Sequence, residues 1–364
     1  MTKMTKATVG RMVQKDARVD GVLNSSGALR TREEFVLELR TQWEDAKQRF
    51  LVIGRRLSEA YRTLGSEVYE DMIANDLPFT MPIAHQLRAV AEAVMAGRLA
   101  EPELPVLVDY GSGGRVALIT LNRPHTDNAI TTEMGARLTE VLETIAVRPA
   151  VRVAIITGAG DRAFSVGSDL RQRKDMTKEQ WLRQRQDFDR TLYTLRQLRK
   201  PIFAAVNGIA YGGGCEIAQS TDFIIASDNA TFGQPEAMIG LAAGGGSPAL
   251  LPRVLPPGKA LQMLMTGDPI TAQEAYRLGM VNELWPMGEL MEVAHRIADK
   301  IASNSPTAVQ AVKRAVRMGQ GQPIEQAIAI MMEAHWRSAV HPDRIEGIGA
   351  FNDDREPSFQ DPDY

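Results

Sequence analysis

The stretch from Lys200 to Gly246 reads KPIFAAVNGIAYGGGCEIAQSTDFIIASDNATFGQPEAMIGLAAGGG, and its texture decides the fold. The runs PIFAAV and DFIIAS are short, apolar and closed by turn residues, and the helical pattern GCEIAQS stands between them. Strands alternating with helices indicate α/β architecture. Toward the N-terminus the series continues with VALITLNRP and VRVAIITGAG, each followed by helical pattern. In the other direction GLAAGGGSPALLPRVLPPG reads as loops around a short helix, and from about Thr271 the chain is nearly all helical. No internal repeat at a fixed period is present.

Three glycines, Gly212 to Gly214, precede the helical run. Without Cβ atoms they let backbone amides approach a ligand at the positive end of a helix, where an anionic oxygen can bind. Glu216 stands two residues past the last glycine, and Glu236 follows twenty residues later behind Pro235. Two carboxylates near one anion-stabilising loop can work as an acid and base pair. The residues alone leave plainer readings open: Glu216 as a first-turn carboxylate complementing the helix dipole, and Glu236 as a solvated loop residue.

Composition narrows the classes. At 364 residues the chain is long enough for two domains, or one large domain with an appendage. Hydrophobic residues at 44% and charged residues at 24% exclude a disordered or fibrous chain. The 42 Lys and Arg against 45 Asp and Glu leave a formal charge of −3, too near neutral for bulk attraction to nucleic acid or anionic lipid. A single cysteine, Cys215, excludes an intramolecular disulfide and a cysteine-rich zinc site and favours a reducing compartment. No apolar run approaches the roughly 20 residues that span a bilayer, so no membrane partner is expected. MTKMTKATVGRMVQKD has no apolar h-region before a cleavage site, which makes the cytoplasm the expected location. No histidines have metal-ligand spacing, and the glycines match neither the Walker nor the Rossmann fingerprint.

Further blocks follow in a fixed order: LNRP then NAI (Asn128 to Ile130), GDRAFSVGSDL (Gly160 to Leu170), KPIFAAVNGIAYGGGCEIAQSTD (Lys200 to Asp222), FGQPEAMIG (Phe232 to Gly240), MTGDPITAQEAYRLGMVNEL and AFNDDREPSF. On these blocks the chain resembles the enoyl-CoA hydratase/isomerase (crotonase) superfamily over residues ~106–359. The resemblance implies a spiral of ββα units over 104–270 and a C-terminal helical region over 271–364 that packs a homotrimer or dimer of trimers. It implies that the backbone amides of Ser168 and Gly213 bind the thioester oxygen as an enolate forms. Glu216 then positions the attacking water and takes its proton, and Glu236 delivers a proton to Cα. Arg123, His125, Phe164, Val166, Gly167, Asp169, Arg171 and Gly212 are the implied contacts to CoA or substrate. No cofactor or metal is implied, since CoA is part of the acyl-CoA substrate.

The implied reaction is hydration of an enoyl-CoA, because both glutamate positions of the hydratases are glutamate here. Another crotonase-type lyase or isomerase, and a nucleic-acid or partner-binding protein with a vestigial enzyme core, are the competing readings. Two departures bear on the site: AAGGGSPALL (Ala242 to Leu251) lacks the family's Gln-Arg pair, and Asp354 replaces a Lys expected near the coenzyme phosphates. Cys215 reads as a packed small residue, because the motif places no base beside it.

Residues 1–30 read as a flexible basic tail, and residues 31–103 as a separate helical module that opens with a long amphipathic helix from Thr31. Residues 1–103 carry 15 Lys and Arg against 15 Asp and Glu, whereas a stand-alone DNA reader has a basic footprint. Nucleic acid is a partner only if this module recruits it, through Arg55, Arg56, Arg62 and Arg88; packing of an oligomer or a lid is the plainer role.

Overall fold

The structure is a computed structural model that describes residues 57–58, 60–61, 66–75, 83–84, 87–88, 104–111 and 113–361. The chain divides into two units, Met1–Pro102 and Glu103–Tyr364. The expected basic tail and most of the long helix after Thr31 lie outside the described residues, as do Arg55, Arg56 and Arg62. In the first unit, helix α1 (Ser66–Asn75) turns Tyr69 and Ile73 inward against Leu57 and Ala84. The Arg88 guanidinium lies 3.9 Å from the centre of the Tyr61 ring.

The second unit is built on a six-stranded sheet in the order β1-β2-β3-β5-β7-β10: Val106–Asp109, Val116–Leu121, Val153–Gly158, Ile202–Val206, Ile224–Ser227 and Glu283–Trp285. Only β1 runs antiparallel to its neighbour. The inner strands are buried on both faces, and period-two alternation sorts their side chains into two cores. Ala154, Ile156, Ile202, Ala204 and Val206 point into the larger core with α2 (Thr132–Val147). Val153, Ile155, Phe203, Ala205 and Ile225 point to the opposite face, which α9 (Leu290–Ser303) covers with Leu290, Val293, Ala294 and Ala298.

A second sheet has the order β4-β6-β8-β9 (Ala163–Ser165, Ile209–Tyr211, Thr231–Gly233 and Ile270–Thr271). Between the strands run α3 (Leu170–Lys174), α4 (Lys178–Gln197), α5 (Gly213–Ser220), α6 (Ser247–Leu250), α7 (Pro257–Thr266) and α8 (Ala272–Leu278). Helix α4 begins at a capping box in which Thr177 and Gln180 bond each other's backbone. Helices α10 (Pro306–Gly319), α11 (Ile324–Ala339) and α12 (Pro342–Asn352) complete the chain.

The strands expected from VALITL, VAIITG, PIFAAV and the FIIAS run are present, and so is a short helix within the glycine-rich stretch. The region after Thr271 is nearly all helical, as expected, with one short exception. Glu283–Trp285 forms edge strand β10 because its backbone pairs in parallel with Ile225–Ser227.

Candidate active site

The end of β6, the start of α5 and a 3₁₀ turn at Pro235–Ile239 meet at a cavity of about 260 Å³. Ser168, Gly213, Glu216 and Glu236 line one side of it, and Arg173, Trp181, Arg185 and Phe188 face them from α3 and α4. Backbone-to-backbone packing brings the loops together. Gly167 has φ +85°, and a Cβ there would lie 2.8 Å from the Tyr211 carbonyl oxygen and 2.9 Å from the Gly213 nitrogen. Gly212, at φ +49°, would direct a Cβ to 3.1 Å from Glu236 Oε1. Glycine is required at both positions on grounds of conformation and space.

Two amides at this junction are left over. Ile130 N donates to Gly167 O at 2.7 Å and Asp169 N to Ile130 O at 2.9 Å, a pairing that bypasses the Ser168 amide. Gly213 is the first residue of α5, where an N–H has no intrahelical acceptor. Among the described residues neither amide has an acceptor in the protein. Both line the cavity, so together they can hold an oxygen that gains negative charge.

The carboxylates sit in different surroundings. Glu216 is only 2% exposed, in the first turn of α5, and the Gly245 amide donates to its Oε1. Burial pushes its pKa up, against the pull of that amide and of Arg185. Glu236 lies in the 3₁₀ turn, and burial, reinforced by the charge of Glu216, pushes its pKa up to about 7. A carboxyl near 7 exchanges protons readily at neutral pH, and a second one beside it can hold the opposite protonation state. Cys215 packs behind them fully buried, its thiol pushed up to about 12 by burial.

Of the residues singled out from sequence, Val166, Ser168, Gly212, Gly213, Glu216 and Glu236 line this cavity. Arg123, His125, Phe164, Gly167, Asp169 and Arg171 do not. Phe164 is wholly buried in the larger core. Arg123 donates through Nη1 to Ala129 O at 2.6 Å and to Asp169 Oδ2 at 2.9 Å. Asp169 caps α3 by accepting from the Arg171 and Gln172 amides, and Arg123 with these amides outweighs burial to lower its pKa. This pair therefore fixes the loop that carries Ser168. His125 and Arg171 are exposed, in the 3₁₀ turn Pro124–Thr126 and in α3 respectively.

Arg173, Trp181, Arg185 and Phe188 form a wall that the motifs did not reveal. The available signal was the spacing of Trp181, Phe188, Leu192 and Leu195, an apolar stripe along an otherwise polar helix. Gly245 was also unmarked. A Cβ on it would lie 2.2 Å from Glu216 Oε2, which favours glycine at this position.

The sequence model described as "Enoyl-CoA hydratase/isomerase" matches residues 111–362. The chain belongs to the enoyl-CoA hydratase/isomerase family. An (E)-benzylidenesuccinyl-CoA hydratase from Thauera aromatica is 38% identical over 260 residues, 71% of this chain and 99% of that protein. A short-chain-enoyl-CoA hydratase from Clostridium acetobutylicum is 38% identical over 243 residues, covering 67% and 93%. The crystal structure of enoyl-CoA hydratase from Bacillus anthracis superposes with a TM-score of 0.69 at 35% identity, covering 71% of this chain and all of that one. The crotonase α/β fold is thereby shared, and the family match begins beyond the first unit. Among the described residues no helix is long and apolar enough to cross a membrane.

Proposed function

We propose that this family member is a hydro-lyase that adds water across the 2,3 double bond of an enoyl-CoA. One observation carries the reading: two acceptor-free amides and two carboxyls of raised pKa line a single cavity. The thioester oxygen binds between the Ser168 and Gly213 amides. Water held between Glu216 and Glu236 attacks Cβ, and the double-bond electrons move to Cα and onto that oxygen. Each preorganised donor is worth roughly 3 kcal/mol in the transition state. Ionised Glu216 takes a proton from the water, and protonated Glu236 gives its proton to Cα. The pKa of about 7 supports Glu236 as the acid. The backbone amides that favour ionised Glu216 against the upward push of burial support it as the base.

Val166 and Gly212 flank the reacting carbons in this reading, while Gly167 and the Arg123–Asp169 pair shape the loop. Phe164 supports β4 from the core, and His125 and Arg171, both exposed, meet the nucleotide end of CoA in this reading. The C-terminal helices pack a homotrimer or dimer of trimers, supported by exposed Val312, Val316, Met331 and Trp336 on α10 and α11. The first unit is an added helical module, packing an oligomer or closing as a lid. The test is loss of enoyl-thioester absorbance when the full chain meets crotonyl-CoA, beside Glu216→Gln and Glu236→Gln. Turnover in the parent and losses of orders of magnitude in both variants are expected. An inactive parent across short, long and aromatic enoyl-CoAs overturns the proposal.

A further inference from the structure

Ser247 opens α6 fully buried, and it touches the surroundings of both glutamates. Its backbone amide helps hold Glu216 in the ionised form. Its hydroxyl stands between two side-chain amides, those of Gln234 and Gln219. Gln234 is also wholly buried, and its amide lies between Glu236 and Ser247. With the nitrogen toward Glu236 it donates to Oε1 at 3.1 Å and Oε2 at 3.0 Å, and its oxygen accepts from Ser247 Oγ at 2.5 Å. Turned over, its nitrogen would donate to Ser247 Oγ at 2.5 Å and its oxygen would face the Glu236 carboxyl.

An ionised carboxylate has only acceptors, so the first arrangement belongs to ionised Glu236 and the second to the protonated acid, whose O–H needs an acceptor. Ser247 has one hydroxyl proton and two amide oxygens within reach. In the first arrangement that proton goes to Gln234. In the second it is free for Gln219 Oε1 at 3.2 Å, and Gln219 Nε2 donates onward to Cys215 Sγ at 3.0 Å.

We propose that Gln234, Ser247 and Gln219 form a hydrogen-bond relay that reverses its polarity with the proton on Glu236, making Ser247 a positioning residue that joins the two glutamates. No bond to hydrogen is exchanged along the relay: the Gln234 amide turns and the Ser247 hydroxyl rotates. The relay deepens the hydratase reading and rests on it, because it gives the acid of that site a satisfied partner before and after proton delivery. The burial of Gln234 and Ser247 makes such satisfaction necessary, since an unpartnered buried amide or hydroxyl is strongly penalised.

The charged groups facing Glu236 are Glu216 from α5, Arg173 from α3 and Arg185 from α4. Gln234→Met, Ser247→Ala and Gln219→Leu leave all three in place. Hydrogen bonds to a charged group are stronger than those between neutral groups, so cutting the relay disfavours ionised Glu236 more than the acid. The experiment is a 13C NMR pH titration of the full chain labelled at its glutamate carboxyls, with Glu236→Gln assigning the signal, beside the pH profile of crotonyl-CoA hydration.

The midpoint of Glu236 is expected to rise by about one pH unit in Gln234→Met, about half a unit in Ser247→Ala and less in Gln219→Leu. The alkaline limb of kcat should move with it. Unchanged midpoints in Gln234→Met and Ser247→Ala, with any activity loss equal at all pH values, overturn the relay. If Ser247→Ala does not fold, Gln219→Leu decides by the same criterion at the far end. A parent that shows these midpoint shifts and hydrates nothing overturns the hydratase reading while the relay stands.

Discussion

Glu216 and Glu236 share a residue type and a cavity, and the segments that carry them are built differently. Glu216 sits on a regular helix whose first turn is walled by Ile217, Ala218 and Cys215, all fully buried. Backbone amides of Gly245 and Ser247 reach its carboxyl. Glu236 sits on a five-residue 3₁₀ turn whose neighbours Met238 and Ile239 are exposed, and its carboxyl meets the Gln234 side-chain amide, the partner proposed above to turn over. Fixed backbone donors favour one charge state, whereas a reversible side-chain partner tolerates two. The difference teaches that acid and base roles can be assigned by what grips each carboxyl, where the residue names are identical.

The largest effect that probes this contrast is loss of the acid or the base itself. Glu216→Gln and Glu236→Gln should each lower kcat by on the order of 10³-fold with crotonyl-CoA, the scale of general acid-base catalysis. Activity kept in either one breaks the two-carboxyl account. Next comes the rigid grip on Glu216. Gly245→Ala puts a Cβ 2.2 Å from Glu216 Oε2 and 2.5 Å from Leu192 Cδ1. It should lower kcat about 10²-fold and destabilise by about 1–3 kcal/mol in urea unfolding. Gly258→Ala has no atom within 4 Å of its Cβ and serves as the control, with activity unchanged.

The pH profile follows. With Glu236 as the acid at about 7, kcat should decline as pH rises past that value, and decline again in acid as Glu216 takes up a proton above its ordinary range. A rate that rises through pH 7 to 8 assigns the roles the other way round. The smallest effect is on stability. A folded-state pKa raised to about 7 from 4.5 means that the folded protein holds a proton the unfolded chain has released. Stability linked to Glu236 is therefore present below about pH 4.5 and is lost as pH rises to about 7. Glu236→Gln should remove that loss and stabilise the chain at pH 8 by on the order of 1 kcal/mol, discounted for solvent at the cavity mouth, with no gain at pH 4. Equal melting shifts at both pH values would show that Glu236 titrates normally.

The inner strands were legible because a strand buried on both faces must be continuously apolar, as VAIITG and IFAAV are. The three-residue strands AFS, IAY and TFG were not, since segments that short acquire strand geometry only from their partners. Strand β10 was hidden for the same reason. In the site, the glycine triplet stood out because close backbone approach leaves few substitutes, while the family resemblance marked the two glutamates. Arg173 and Arg185 belong to no motif, and they reach the cavity only through the tertiary placement of α3 and of α4, which packs beside α5.

By itself the sequence determined the α/β class, because apolar periodicity is a local constraint written along the chain, and its ordered motif blocks carried the resemblance that implied the family and the two glutamates. The tertiary structure alone decided which amides stay unpaired, which carboxyl is gripped by backbone and which by Gln234, and so which of them titrates near neutrality. Those properties depend on desolvation and on donors brought from distant segments, and distance in space is not encoded by distance along the chain.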